Sequence, residues 1–193
     1  MMPETQDLPA HFGALSLAEA ADLLAQQRVP PVERWDPPDR GDSRMEIRAD
    51  GSWWHDGSEI KRPALVKLFA SILRREADGR YWLVTPHEKQ RIAVADLPFR
   101  AVEMLSEGEG RDRTLLFRLD TGELAKAGTD HPLTFADKHG EPRPALHVRG
   151  TIGCGLEARL TRSLYYELVE LALADGGAPP SVWSDGTRFE IAA

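Results

Sequence analysis

Arg159, Arg162 and Tyr166 follow one another at spacings of three and four in the run GLEARLTRSLYYELVELALADGG. Two guanidiniums and a phenol so placed could clamp a phosphate, because each planar fork donates two hydrogen bonds at once. Tyr166 or its neighbour Tyr165 could stack on a base. The alternative is a solvated polar face salt-bridged to another element. Just upstream stands Glu157. Read as one helix at about 100° per residue, the run puts Leu156, Leu160, Leu164, Leu168 and Leu171 on a single stripe, with Glu157 inside it. Two readings of Glu157 stay open. It is an acid in the first turn, favoured by the helix dipole by about 0.3–1 kcal/mol. Or it is a carboxylate at a seam between two parts of the protein, paired with Arg62 or Arg149. Burial without a partner would cost several kcal/mol, and an ion pair there would fix how the parts dock.

A second polar cluster is Thr85-Pro86-His87-Glu88-Lys89, at the turn between two strand-like runs. Binding groups are common on such turns. Thr85 could hold a phosphate or the turn itself, and Lys89 could add charge; a hairpin with a polar tip is the alternative. Glu88 with His87 could serve acid–base chemistry, but adjacent strand residues point to opposite faces, which argues against a dyad. His11, His55, His87, His131, His139 and His147 show no metal-binding spacing, so neither a metal nor a cofactor is expected. No dinucleotide fingerprint, Walker loop or Gly-x-Ser-x-Gly elbow is present. GEGRDR, ending at Arg113, lies between strands and reads as a turn.

Composition narrows the partners. The chain has 193 residues, 41% apolar and 28% charged, which is ordinary for a globular protein with a substantial core. Its net charge of −7 repels nucleic acid at long range, and no dense Lys/Arg run offsets it, so duplex binding is not expected. The single cysteine, Cys154, precludes a disulfide within the chain and fits a reducing cytosol. Between two glycines it reads as a small buried hydrophobe rather than a nucleophile. No run approaches the roughly 20 apolar residues of a membrane span. The start, MMPETQDLPAHF, has neither the basic segment nor the apolar core of a secretory signal. A cytoplasmic protein is the expectation.

The elements that must position these groups follow from periodicity. Ser16 and Glu19 form a capping-box pattern at the head of SLAEAADLLAQQ. Four prolines then hold VPPVERWDPPDRGDSR extended, with Trp35 pinning it to the body. From Met45 the pattern is strand, turn at Asp50-Gly51, strand, turn at Asp56-Gly57. Pro63 opens a helix in which Leu65, Leu68, Phe69, Ile72 and Leu73 face a core. Strands follow to Thr85 and to Ala95, then at 101–105, 114–119 and 146–149; the region 122–144 reads as loop. A hairpin across Asp185-Gly186 closes the chain. WHDGSEI at Trp54 echoes WSDGTRFEI at Trp183, which points to a diverged duplication. The expected fold is therefore α+β, in two related subdomains, each a sheet of short, mostly antiparallel strands with one main helix. The divisions are 1–44 (helix and Pro-rich linker), 45–96 and 97–193.

Several segments carry a resemblance: GSWWHDGSEIKRPALVKLFASILRRE, YWLVTPHEKQRIAVADLPF, HPL, PRPALHVRG and GLEARLTRSLYYELVELA. Together they resemble the bacterial domain-of-unknown-function family DUF1285, from Gly51 to Phe189. The Thr-Pro-x-Glu-Lys and Leu-Glu-Ala-Arg-Leu segments are specific. The resemblance implies a duplicated two-domain α+β body whose C-terminal half superficially resembles a pleckstrin-homology barrel. It also implies a nucleotide-like ligand between the halves, in signal transduction under stress. Gly153-Cys154-Gly155 departs from the family pattern.

Three functions are weighed. The first is a non-enzymatic binding protein for a small anionic, nucleotide-like ligand between the subdomains, using Arg62, Thr85, Lys89, Arg149, Glu157, Arg159, Arg162 and Tyr166. The second is a protein-interaction module built on the barrel-like half. The third is a hydrolase using Glu88, Glu157 or His131 as acid or base.

Overall fold

The computed structural model describes residues 12–138 and 140–191. The N-terminal stretch read for a signal, with His11, and also His139 lie outside the described residues. Helix α1 (Leu17–Gln26) opens on the expected capping box. Ser16 Oγ accepts from the Glu19 amide at 3.3 Å, and the Glu19 carboxylate accepts from the Ser16 amide at 2.8 Å. The helix buries Ala20 against Leu116 and Leu124. Gln27 exchanges two hydrogen bonds with the Leu124 backbone, at 3.1 and 2.7 Å. The proline-rich segment then lays Val32 and Trp35 on Trp82 and Val84. There Arg74 Nη1 donates to the Val32 and Trp35 carbonyls at 2.9 and 2.7 Å. Trp35 is thus an anchor, as its place among prolines predicts.

The N-terminal half holds β1 (Asp39–Ile47), β2 (Trp53–His55), β3 (Ser58–Glu59), α2 (Pro63–Ser71), β4 (Leu73–Arg75), β5 (Tyr81–Val84) and β6 (Lys89–Val94). Its sheet runs β3-β2-β1-β6-β5-β4, antiparallel except for the central β1–β6 pair. The C-terminal half holds β7 (Phe99–Glu107), β8 (Thr114–Leu119), β9 (Leu124–Lys126), β10 (Leu133–Lys138), β11 (Glu141–Arg149) and β12 (Leu156–Leu160). Its order is β10-β11-β12-β7-β8-β9, again antiparallel except for the central β12–β7 pair. Each half is therefore two three-stranded meanders whose first and last strands pair in parallel. Helix α3 (Arg162–Asp175) and the hairpin β13 (Ser181–Ser184) and β14 (Thr187–Glu190) complete the chain.

This is the expected α+β duplication, but the repeat is not where the echo of sequence lies. WHDGSEI spans β2–β3 inside the first sheet; WSDGTRFEI spans β13–β14, outside the second. What the two share is a local turn. Asp56-Gly57 and Asp185-Gly186 have φ of 48°, 76°, 50° and 72°, the left-handed pair that a two-residue hairpin demands. The helices differ too: α2 links the two meanders of its half, whereas α3 follows the last strand of its own.

Three boundaries move. Strand β1 begins at Asp39, six residues before Met45, inside the segment read as linker. Helix α2 stops at Ser71, and Leu73 enters β4. The region 122–144, read as loop, carries β9, β10 and the start of β11. Pro142 and Pro144 are tolerated in β11 because pairing with β12 begins only at Ala145, so their missing donors face no neighbour strand.

One apolar core crosses the division. Met45, Ile47, Trp53, Leu83 and Ile92 of the first half join Phe99, Leu115, Phe117, Leu146 and Leu168 of the second. No helix among the described residues is long and apolar enough to cross a membrane.

Candidate functional site

The run read as one long helix is a strand and a helix. In β12, Leu156, Ala158 and Leu160 are buried while Glu157 and Arg159 are half-buried on the other face. This is a period of two. Leu156 and Leu160 stand four apart, which fits two strand repeats as well as one helical turn; that coincidence produced the helical stripe. The helix itself starts at Arg162 and buries Leu164, Leu168 and Ala172, so the stripe holds from Leu164 onward. Glu157 is consequently not in a first helical turn, and Arg159 is not on a helix face with Arg162 and Tyr166.

On β12 those two charges face the joint between the halves. Arg159 Nη2 donates to both carboxylate oxygens of Asp96 at 2.9 and 2.6 Å. Arg143 of β11 pairs with the same carboxylate. Burial, then the neighbouring Arg143 charge, pulls Arg159 below the ordinary arginine value, and Glu157 opposes this. Arg149 does not pair with Glu157. Its guanidinium reaches the Ala70 and Ser71 carbonyls at 2.7 and 3.1 Å and Glu123 at 3.3 Å. Arg62 sits at the N-cap position of α2, makes no side-chain capping hydrogen bond and is exposed. It is not Glu157's partner either; Glu157 makes no ion pair among the described residues.

The remaining candidates lie elsewhere. Thr85 Oγ1 accepts from the His87 and Glu88 amides at 3.4 and 3.2 Å and donates to the Glu88 carbonyl at 3.1 Å. It holds the turn. Lys89 pairs with Glu76 at 2.8 Å and covers the Trp82 ring at 4.6 Å, on the opposite face of the first sheet from the joint. Arg162 and Tyr166 are exposed on α3. Cys154 is half-exposed in the turn before β12 rather than buried. Of eight candidates, the fold brings only Arg149, Glu157 and Arg159 to the joint.

It adds three that the sequence reading passed over. Tyr81 and Arg75 stand opposite each other on β5 and β4, and the Arg75 guanidinium carbon lies 5.4 Å from the centre of the Tyr81 ring. Burial raises the Tyr81 phenol above its usual value; the Glu157 charge across the joint adds to this and Arg75 opposes it. His147 stands opposite Glu157 in the β11–β12 register and is 5% exposed. Burial holds its ring below the usual histidine value. Arg75 Nε and His147 Nδ1 are buried without hydrogen-bond partners. No local signal marked Arg75: Leu73-Arg74-Arg75 does not alternate between apolar and polar residues and follows the helix without a break.

No metal-binding cluster of three or more His, Cys, Asp or Glu side chains occurs among the described residues. An open depression of about 450 Å³ lies away from the joint, beside Glu109, Asp175, Ser181 and Trp183. One of its acids, Asp175, is already bound bidentately by Arg113, which leaves the joint as the stronger candidate.

Comparison with known proteins agrees with the division into halves. A family model described as "Domain of unknown function (DUF1285), N-terminal domain" matches residues 30–97, and its C-terminal counterpart matches residues 98–191. A crystal structure of a DUF1285 family protein from Silicibacter pomeroyi DSS-3 is 40% identical, with a TM-score of 0.76, over 92% of this chain and 95% of that one. A second, from Shewanella baltica OS155, is 28% identical, with a TM-score of 0.52, over 69% of this chain and 96% of that one. None of the curated proteins matches the chain.

Proposed function

The chain belongs to the DUF1285 family, and from that premise we propose that it is a non-enzymatic binding protein for a small anionic, nucleotide-like molecule seated between its two halves. One observation carries the reading. The Arg75 guanidinium of the first half lies over the half-buried Tyr81 ring at 5.4 Å, the Tyr81 phenol feels the charge of Glu157 from the second half, and neither Arg75 nor Glu157 has an ion-pair partner among the described residues. The other charges of the joint, Arg149 with Glu123 and Arg143 and Arg159 with Asp96, are paired. A free guanidinium is a bidentate anion receptor, and a tyrosine ring beside it is a stacking platform. Both halves contribute, so a bound ligand would stiffen their joint. We assign that response to bacterial cytoplasmic signalling or a stress response.

A ligand that binds only the folded protein raises its melting temperature. Thermal-shift measurements on the full chain with purine and pyrimidine monophosphates are expected to show stabilisation that Arg75→Ala removes. Absence of a shift with every phosphate-bearing compound would defeat the proposal.

A second reading has its own observation. Tyr166 and Leu173, seven residues apart on α3, are 55% and 65% exposed on the C-terminal half likened above to a pleckstrin-homology barrel. An interaction module predicts that these two, and not Arg75, govern binding to a protein partner.

A further inference from the structure

We infer that Arg143 and Arg159 form an anion site of their own, which takes a phosphate group and for which Asp96 is the resident occupant. The inference goes beyond the nucleotide reading and does not use Arg75. Arg159 is opposite Ala145 in the β11–β12 register, and Arg143 stands two residues from Ala145, so both arginines project from one face of the second sheet. The single carboxylate of Asp96 bonds to both; it belongs to the connector 95–98 that joins β6 to β7 and so the two halves.

That carboxylate does not saturate the pair. A guanidinium carries donors on all three of its nitrogens, yet each arginine reaches Asp96 through Nη2 alone. Nε and Nη1 of both make no hydrogen bond among the described residues, and Nε of Arg159 is buried in that state. Charge is unbalanced in the same sense, with two cations to one anion at contact distance. Glu157, the next acid on this face of β12, touches neither guanidinium. Arg143, Arg159 and Asp96 keep 26%, 22% and 28% of their side-chain surface in solvent, so a small ion can reach them from outside.

A carboxylate offers two oxygens in one plane. A phosphate offers three or more, spread tetrahedrally, and carries up to twice the charge. It can therefore bridge guanidiniums on neighbouring strands and take donors that Asp96 leaves free. Asp96 competes for the same Nη2 groups, so phosphate displaces it, and the connector between the halves gives up its anchor on the second sheet.

Isothermal titration of the full chain with inorganic phosphate at constant ionic strength tests the inference. Methyl phosphate, run in parallel, distinguishes a phosphate ester from free phosphate as the occupant, and binding of either supports the site. The natural protein is expected to bind with a dissociation constant of about 1 mM, the strength of two or three charge-assisted hydrogen bonds. Arg143→Ala should weaken binding at least about tenfold, and Arg75→Ala should leave it within about twofold. Asp96→Asn keeps the shape and removes the competing charge, so it should tighten binding at least about tenfold. A purely structural ion pair predicts no such gain. No binding of either compound by the natural protein at about 50 mM, or no gain in Asp96→Asn, overturns the inference and leaves the nucleotide reading standing. Loss of binding in Arg75→Ala with retention in Arg143→Ala also overturns it, because the phosphate then belongs to Arg75. Should Asp96→Asn not fold, the contrast between Arg143→Ala and Arg75→Ala decides alone.

Discussion

Arg149 of β11 donates from Nη2 to the Ala70 carbonyl at 2.7 Å, so the last turn of α2 in one half is closed by a side chain from the other. Final-turn carbonyls of a helix have no partner within it, and a cation at that end also suits the helix dipole. Nη1 takes the Ser71 carbonyl at 3.1 Å, and Nε lies 3.3 Å from Glu123. The two charged side chains are only 15% and 13% exposed. Burial lowers the Arg149 value and raises that of Glu123, each opposed by the partner's charge.

Truncation of Arg149 strands both a buried carboxylate and two carbonyls. Arg149→Ala is expected to cost about 3 kcal/mol in urea unfolding, in the range for breaking a buried pair from one side. Arg149→Lys should recover only part, since an ammonium cannot reproduce a fork spread over three acceptors. An unchanged midpoint in Arg149→Ala would mean that the contact does not hold the halves together.

His147 gives a pH dependence with a definite sign. Its native value is depressed by burial, so below about 6.5 the unfolded chain takes up a proton that the native ring refuses. Stability contributed by the neutral ring is present above that value and is lost as pH falls toward the native value. Gln at position 147 keeps an N–H near the Gly150 carbonyl and cannot titrate. Unfolding free energies measured from about pH 7 down to pH 5 should therefore fall less steeply in His147→Gln than in the natural protein. Parallel profiles would assign the slope to other groups.

The sequence made the elements legible where one period was unambiguous. The Ser16–Glu19 box, Pro63 at the head of α2, and the two Asp-Gly hairpins all stand as read. It failed where periods overlap or contacts are remote. Leu156 and Leu160 satisfy helix and strand alike, and only pairing with Ala145–Arg149 and Phe99–Ala101 decides for the strand. That choice moved Arg159 from a helix surface to the joint and settled Glu157 in a strand at the seam, without Arg62 or Arg149 as its partner. Partners were less legible still: Arg159 meets Asp96 63 residues away, and Arg149 meets Ala70 at a separation of 79. Pairings at such range follow from sheet order, which no local pattern in the chain encodes.

Thr85 separates the two meanings its turn could have. Its hydroxyl is already occupied by two backbone donors and one backbone acceptor. Thr85→Ala is expected to lower stability by about 1 kcal/mol, the net worth of such hydrogen bonds, and to leave nucleotide affinity unchanged. A loss of affinity with stability intact would return the turn to the binding site.

Arg75, Arg162 and Tyr166 together distinguish the joint from the helix surface as the place of binding. Arg162 and Tyr166 are exposed on α3, where substitutions change stability by no more than about 0.5 kcal/mol. Arg75 has no ion pair among the described residues, only the Tyr81 ring at 5.4 Å, so its loss should cost about 1 kcal/mol or less. The three variants Arg75→Ala, Arg162→Ala and Tyr166→Ala are therefore all expected to fold. In titrations with guanosine monophosphate, Arg75→Ala should weaken binding by about tenfold or more, as removal of a charge-assisted contact does. Arg162→Ala and Tyr166→Ala should bind within about twofold of the natural protein. The reverse pattern would place the anion on α3, where the spacing of Arg159, Arg162 and Tyr166 first pointed. Because the two sites share no side chain once Arg159 is held by Asp96, a single set of titrations separates them.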